Sequence, residues 1–243
     1  MTDPIAIAPV VHLVGAGLGD LGSVTRRAAR LLAHADVVVV DRRSLDDVVG
    51  LAPATAELVH VGRHGGHRAW VTEAIVDLLV DRARAGLRVV RLKGGDPFVC
   101  SRGAEEALGL ADRGIAVEVT PGVTSATASG MASGIDRGLS VTVVSGNHDP
   151  IGPVVGWSTI DAIDPGAGAV VVLTGRSNQG LIAAGLMAGG RGAGTVSALV
   201  HGAGRSGEAV TPTVLGELAG VRLPAPAALV VSPCRPGGAH AHS

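Results

Sequence analysis

Short runs of valine, leucine and alanine, separated by glycine-rich and polar segments, set the pattern of hydrophobic positions along this chain. Continuous apolar runs of this length are typical of strands that a parallel sheet buries on both faces. In the first half they predict strands at 10–14, 37–40, 58–61, 87–92 and 117–119. Amphipathic stretches between them predict helices at about 23–35, 72–84 and 103–112, with Thr72 as the cap of the second helix. Alternating strands and helices indicate an α/β fold.

In the second half of the chain, the apolar runs are less regularly spaced. The pattern there predicts a helix of small residues at 125–133, a loop over 146–168, and strands at 139–144, 169–173, 196–200 and 227–231. Pro121 and Gly122 mark the boundary between the halves. We therefore predict two α/β domains, 1–121 and 122–243, with a disordered tail from about 235. A ligand is expected between the domains, where clefts usually form.

Composition and charge narrow the class of protein. The 243 residues carry a formal net charge of −1, with acids and bases interspersed. This balance offers no electrostatic attraction for nucleic acid or anionic lipid, and no apolar run approaches the roughly 18 residues that span a bilayer. Cys100 and Cys234 lack metal-site spacing, and the start of the chain lacks signal-peptide features. We expect a cytoplasmic protein with neither nucleic-acid nor membrane partners.

A glycine-rich turn and a histidine-containing segment each suggest a ligand but do not identify it. The turn Gly15-Ala-Gly-Leu-Gly-Asp20 follows a predicted strand and precedes Asp41 by about twenty residues, as in dinucleotide-binding motifs. Its sixth position is an acid, which would repel a pyrophosphate but suits a helix dipole. NAD, another nucleotide-like cofactor and a plain tight turn are all compatible with it. His64 and His67 have no carboxylate or cysteine at a spacing that would complete a metal site, so no metal is predicted.

The segment from Arg91 to Glu106 is the strongest candidate for a ligand site. It follows a buried strand, and ligands of open α/β sheets bind beyond the carboxyl ends of the strands. Gly94 and Gly95 permit a close approach to the backbone. Arg102 and Glu105, three residues apart at a helix start, share a face. They form either a surface ion pair or part of the ligand site.

The sequence resembles the uroporphyrinogen III C-methyltransferases, among the tetrapyrrole methyltransferases that use S-adenosylmethionine. The likeness covers most of the chain up to Ser145, in the segments 11–20, 35–42, 61–63, 91–98, 102–106 and 121–126. Lys-Gly-Gly-Asp-Pro-Phe from Lys93, followed by Pro-Gly-Val-Thr-Ser from Pro121, is specific in order and spacing.

The resemblance implies two domains of the tetrapyrrole methylase type, with S-adenosylmethionine in the cleft between them. The implied cofactor-binding residues are Leu18, Gly94, Gly95, Asp96, Thr124 and Ser125, together with the backbone near Thr174, Ser197 and Ala228. A sulfonium methyl donor has no pyrophosphate, so Asp20 is no obstacle to this cofactor.

The substrate implied by the resemblance is a cyclic tetrapyrrole, whose carboxylates suit the bidentate geometry of arginine. Arg42, Arg63 and Arg137 are its implied binding residues. Arg102 is expected to clamp a carboxylate, and Glu105 to orient Arg102 or accept the proton.

The implied reaction is the double methylation of uroporphyrinogen III to precorrin-2, for sirohaem or cobalamin, by a homodimer. Leu18 and Thr174 replace a usual proline and methionine, and the segment 134–138 is shortened. A methyltransferase acting on a later precorrin and a non-catalytic tetrapyrrole or cofactor binder are the alternatives.

Overall fold

The computed structural model describes residues 9–41, 45–62, 70–136, 138–146, 156, 168–174, 178–222 and 227–233. The chain divides into two compact units, one ending at Thr124 and the other beginning at Ser125. The tail expected from about 235 and nearly all of the loop predicted at 146–168 lie outside the described residues. Each unit contains one sheet with its own helices, which confirms the α/β prediction.

A parallel sheet of five strands forms the centre of the first unit, as far as the described residues show. The strands are β1 Val10–Gly15, β2 Val37–Val40, β3 Glu57–His60, β4 Val89–Lys93 and β5 Ala116–Thr120. They lie in the order β3-β2-β4-β1-β5, and all neighbouring pairs are parallel. Every predicted strand of the first half is present, with its ends shifted by at most two residues.

Helices cover both faces of this sheet. They are α1 Arg26–Ala33, α2 Asp46–Val49, α3 Thr72–Arg84 and α4 Gly103–Asp112. Val38 and Val40 pack in one core with α1 and α2, whereas Val37 and Val39 pack in another with α3 and α4. Successive strand residues point to opposite faces, so a run of four valines supplies both cores.

Two helix starts differ from the sequence prediction. α1 begins at Arg26, after a short 3-10 helix at Leu21–Ser23, and Thr25 caps it by accepting a hydrogen bond from Ala28 N at 3.1 Å. Thr72 is the first residue of α3 and not its cap. The cap position belongs to Val71, which offers no side-chain hydrogen bond. The Thr72 hydroxyl is therefore free to contact side chains at the start of α4.

The second unit contains a mixed sheet. Its described strands are β6 Ser140–Ser145, β7 Gly168–Leu173, β8 Val196–His201, β9 Ala209–Val214 and β10 Ala227–Val231. They lie in the order β6-β7-β10-β8-β9; β6 and β7 are parallel, and the remaining pairs are antiparallel. The unit also contains α5 Ser125–Ala132, α6 Gln179–Ala188 and a 3-10 helix at Leu215–Gly220.

The sequence pattern did not predict two elements of the second unit, α6 and β9. α6 is apolar on nearly all sides, so it shows no helical period. β9 contains Pro212, which argues against a central strand, and β9 indeed lies at the sheet edge. Across the described ranges, each helix is too short or too polar to cross a bilayer.

Candidate functional site

Three glycines from three loops meet at the carboxyl edge of the first sheet. Gly15 ends β1, Gly95 follows β4 and Gly122 follows β5, and β1 lies between the other two strands. A Cβ atom on Gly15 would lie 2.6 Å from the Gly95 carbonyl oxygen, and one on Gly122 would lie 2.1 Å from the same oxygen. Side chains cannot fit at these positions, so the loops approach one another through bare backbone.

Backbone hydrogen bonds join the turn after β1 to the loop after β4. Gly95 N donates to Gly17 O at 2.7 Å, and Gly17 N donates to Gly95 O at 3.3 Å. The φ angles of Gly17 and Gly95 are +64° and +71°, which glycine adopts without strain. The glycine-rich turn predicted from the sequence is thereby fixed against the predicted cofactor loop.

Gly94 and Asp96 have different roles in this loop. No atom lies within 4 Å of the place where a Cβ atom of Gly94 would be, so the backbone there faces open space. The Asp96 carboxylate accepts hydrogen bonds from Phe98 N at 2.8 Å and Gly122 N at 3.2 Å. Asp96 thus fastens the loop to the chain after β5, beside Thr124, whose Cα is 3.8 Å from the Cβ position of Gly95.

The acid at the sixth position of the first turn is a helix cap. Asp20 Oδ1 accepts from Ser23 N at 3.0 Å, and Asp20 Oδ2 accepts from Ser23 Oγ at 2.8 Å. Ser23 Oγ in turn accepts a hydrogen bond from Leu18 N at 2.8 Å, so the half-buried Leu18 is held within the turn. The predicted preference of this acid for a helix start is confirmed.

Arg102 and Glu105 are brought together at the start of α4 through Thr72. Arg102 Nη1 donates to Thr72 Oγ1 at 3.4 Å, and Thr72 Oγ1 donates to Glu105 Oε2 at 3.5 Å. Both charged side chains are exposed. Gly103 anchors the helix start, because a Cβ atom there would lie 2.0 Å from Pro97 O. The structure therefore places this pair directly beside the loop that contains Gly94.

A buried ionic cluster, which the sequence pattern did not predict, lies behind this edge. We call Asp41, Arg91, Lys93 and Glu106 the buried quartet. Glu106 accepts hydrogen bonds from Arg91 Nε at 3.0 Å, Arg91 Nη2 at 2.9 Å and Lys93 Nζ at 2.9 Å. Arg91 Nη2 also donates to Asp41 Oδ1 at 2.6 Å. Arg91, Lys93 and Glu106 are buried, and the Asp41 side chain is about one third exposed.

The environment of the buried quartet shifts the pKa values of its cations in opposite directions. Burial lowers the pKa of Lys93, and the neighbouring charge of Arg91 lowers it further. Burial alone would also lower the pKa of Arg91, but the charges of Asp41 and Glu106 outweigh it and raise that pKa. A signal for the cluster did exist in the sequence: Arg91 and Lys93 flank Leu92 in a buried strand, so they share a face and require buried carboxylates.

In the second unit, Thr174 and Ala228 lie close together. Thr174 follows the last residue of β7, Leu173, which pairs with Ala228 of β10. Thr174 has φ +63°, a conformation that a β-branched residue rarely adopts. Its hydroxyl donates to Leu173 O. A strained residue at the carboxyl end of a strand is typical of a functional position.

Ser197, the third expected cofactor residue of the second unit, lies further along the sheet. It pairs with Val231, three residues along β10 from Ala228, or about 10 Å away at the rise of a strand. Ser197 is fully buried, and its hydroxyl donates to Thr195 O at 3.1 Å. The Ser197 hydroxyl is therefore already bonded to the residue that precedes β8.

The expected substrate arginines Arg42, Arg63 and Arg137 lie outside the described residues. The remaining candidates fall into two groups. Leu18, Gly94, Gly95, Asp96, Arg102, Glu105 and Thr124 belong to the first unit, and Ser125, Thr174, Ser197 and Ala228 belong to the second. Ser125 is the first residue of α5.

Comparisons with known proteins agree with this architecture. The family model for Tetrapyrrole (Corrin/Porphyrin) Methylases matches residues 10–219. The chain is 36% identical over 232 residues to an S-adenosyl-L-methionine-dependent uroporphyrinogen III methyltransferase of Methanosarcina barkeri, covering 91% of this chain and 90% of that protein. It is 40% identical over 199 residues to the siroheme synthase of Chromobacterium violaceum, covering 80% of this chain but 42% of that protein.

A solved structure has the same fold. The uroporphyrin-III C-methyl transferase of Thermus thermophilus, complexed with S-adenyl homocysteine, superposes with a TM-score of 0.75 at 38% identity, and 91% of each chain is covered. The chain spans about half or less of the siroheme synthases that it matches. With a family match over most of its length, the chain belongs to the tetrapyrrole (corrin/porphyrin) methylases.

Proposed function

We propose that this chain is a uroporphyrinogen-III C-methyltransferase, which transfers methyl groups from S-adenosylmethionine to give precorrin-2 for sirohaem or cobalamin synthesis. The observation that carries the proposal is the open backbone at Gly94, in a loop fastened by Asp96 and by the contact of Gly15, Gly95 and Gly122. Such a loop suits close contact with a planar, polar ligand. Similarity to the Thermus protein and to the Methanosarcina methyltransferase over 90% or more of each chain supports the same activity.

For the cofactor we propose contacts in both units. In the first unit they come from Leu18, Gly94, Gly95 and Thr124, with Asp96 holding the loop in shape. In the second they come from Ser125 and from the backbone near Thr174, Ser197 and Ala228. The Ser197 hydroxyl is already bonded within the chain, so only its backbone is proposed to contribute. When bound, S-adenosylmethionine would supply an activated methyl group, and Asp20 does not oppose it because that carboxylate is already engaged as a cap.

For the substrate we propose that Arg102 holds a carboxylate beside the reacting ring. Its planar guanidinium can bind a carboxylate through two parallel hydrogen bonds. Glu105 either orients Arg102 or accepts the proton that leaves the tetrapyrrole, and Thr72 Oγ1 contacts both side chains. Arg42, Arg63 and Arg137 are proposed to bind further carboxylates. Alignment of the reacting carbon with the methyl group would account for much of the rate.

The assignment is tested with purified protein, S-adenosylmethionine and enzymatically made uroporphyrinogen III. Mass spectrometry should detect a product with two added methyl groups, together with S-adenosylhomocysteine. Turnover of a later precorrin, with uroporphyrinogen III left unchanged, would replace this substrate by that one. Calorimetry should show binding of S-adenosylhomocysteine and none of NAD. The reverse pattern would reject the cofactor, and binding without any turnover would favour a non-catalytic binder.

We further infer a cytoplasmic homodimer. An exposed apolar surface on the second unit supports self-association: Leu139 is 95% exposed, and Val141 and Val143 of the edge strand β6 are exposed beside it. A reducing cytoplasm would keep the exposed thiol of Cys100 free. Light scattering should give twice the chain mass for the native protein and a lower mass for Leu139→Glu, whereas a monomeric native protein would reject the dimer.

A further inference from the structure

We infer that Glu106 is a positioning residue that acts through Arg91. It fixes the start of α4, which carries Arg102 and Glu105, against the end of β2 at Asp41. The inference rests on the proposed function, because it concerns the residues proposed to hold the tetrapyrrole. Glu106 itself is 2% exposed, so its carboxylate would act through its neighbours and not through direct contact with the substrate.

Glu106 is bound to the sheet by its side chain and to the helix start by its backbone. Its carboxylate accepts three hydrogen bonds of 3.0 Å or less from Arg91 and Lys93 of β4. Its backbone N donates to Arg102 O at 3.0 Å in the first turn of α4. The positions of Arg102 and Glu105 are thus tied to the carboxyl end of β4.

The Arg91 guanidinium has little freedom to reorient. Nε and Nη2 donate to Glu106, Nη2 also donates to Asp41, and Nη1 donates to the carbonyl oxygens of Val39 and Leu92 at 3.3 Å. An arginine side chain has five N–H donors in a rigid plane, and the acceptors around Arg91 can engage all five. A change at Glu106 is therefore transmitted through a rigid group to Asp41.

Stability alone does not explain such a cluster. Burial of Arg91, Lys93 and Glu106, with Asp41 partly buried beside them, costs much desolvation free energy, and apolar residues of similar volume often stabilise a fold equally well or better. What an ionic cluster provides in addition is fixed orientation, since each contact is directional. The buried quartet joins the end of β2, at Asp41, to the first turn of α4, which follows Arg102, and fixed orientation there would affect substrate binding.

The test is Glu106→Gln, which keeps the side-chain shape but removes its charge. Below the unfolding temperature, as checked by circular dichroism, we expect kcat/KM for uroporphyrinogen III to fall on the order of tenfold or more, with KM rising more than kcat falls. The Kd of S-adenosylhomocysteine should stay within about twofold. Hydrogen exchange of the amides of residues 106–109, whose hydrogen bonds close the first turn of α4, should accelerate on the order of tenfold, because this turn loses its anchor.

Glu57→Gln is the matched control. Glu57 also forms two hydrogen bonds with an arginine, Arg82, but it lies at the opposite edge of the sheet, at the start of β3. Its variant should keep wild-type kinetics and wild-type exchange in α4. Wild-type kinetics and exchange in a folded Glu106→Gln protein would overturn the inference. So would a parallel loss of cofactor affinity, which would indicate general disruption of the unit.

A second variant covers the possibility that Glu106→Gln does not fold. Lys93→Met combined with Glu106→Gln leaves Arg91 opposite Asp41 and restores the charge balance. A folded double variant with reduced kcat/KM and faster exchange in α4 supports positioning, whereas wild-type values reject it. If wild-type protein shows no turnover, the proposed function fails, and the exchange measurement still decides whether Glu106 anchors the helix.

Discussion

At the scale of single residues, a substitution of Arg102 tests the role of its guanidinium with little effect on the packing of the first unit. Arg102 is exposed and lies outside both cores of the first unit. Arg102→Lys keeps the charge but removes the planar guanidinium. We expect it to lose a charge-assisted hydrogen bond of about 1.5–3 kcal/mol, or roughly ten- to a hundredfold in kcat/KM for the tetrapyrrole. Steady-state kinetics measure this loss.

The control for Arg102 is Arg82→Lys, which changes a partly exposed arginine that pairs with Glu57 at the start of β3, away from the candidate loop. It should alter stability slightly and kinetics not at all. The affinity of Arg102→Lys for S-adenosylhomocysteine should equal that of the wild type. Wild-type turnover in Arg102→Lys would withdraw this residue from the site and leave it as one member of a surface contact with Thr72.

Gly94 provides the sharpest test of the cofactor loop. A Cβ atom at Gly94 meets no atom within 4 Å, so Gly94→Val should fold normally. The new side chain would occupy the open side of the loop, and we expect affinity for S-adenosylhomocysteine to fall on the order of tenfold or more, measured by calorimetry. Gly95 is a poorer choice because its φ of +71° would strain any β-branched residue.

Gly194→Val is the matched control for Gly94, because a Cβ atom at Gly194 also meets no atom within 4 Å and the position is exposed. It should bind the cofactor product like the wild type. Equal affinities for the native protein and Gly94→Val would mean that the ligand does not approach this loop.

At the scale of elements, the strands of the first unit were predictable because each is a local apolar run. Val37–Val40 needs no knowledge of its partners to be recognised as a buried strand. The buried quartet was not predictable in the same way. Glu106 meets Arg91 across 15 positions, which depends on how α4 packs on the sheet, and Arg91 meets Asp41 across 50, which depends on the order of the strands. Lys93 is the only lysine among the 20 lysine and arginine residues of the sequence, but the sequence does not indicate its partner.

The amino edge of the first sheet sets a pH dependence of stability. Asp36 accepts three hydrogen bonds from Arg88, and these lower the pKa of Asp36 well below its usual range. The side-chain hydrogen bonds of Arg82 likewise lower the pKa of Glu57. A carboxylate whose pKa is depressed by folding stabilises above its unfolded pKa, near 4, and this contribution disappears as pH falls through the folded pKa.

We therefore expect the free energy of unfolding in urea to decline from about pH 5 downward. Asp36→Asn should make this decline shallower and leave stability near pH 7 lower than in the wild type. High salt should reduce the difference between the two proteins, because the pair is exposed and easily screened. An unchanged pH profile in Asp36→Asn would show that this contact contributes nothing to folding.

At the scale of the whole chain, the proposed reaction fixes the ratio of its products. Each S-adenosylmethionine donates one methyl group, so the two methylations that convert uroporphyrinogen III to precorrin-2 should release two molecules of S-adenosylhomocysteine per tetrapyrrole. Mass spectrometry of the tetrapyrrole, combined with chromatographic measurement of S-adenosylhomocysteine, checks this ratio. A ratio near one, with a singly methylated tetrapyrrole as the final product, would show that the chain stops after the first methyl transfer.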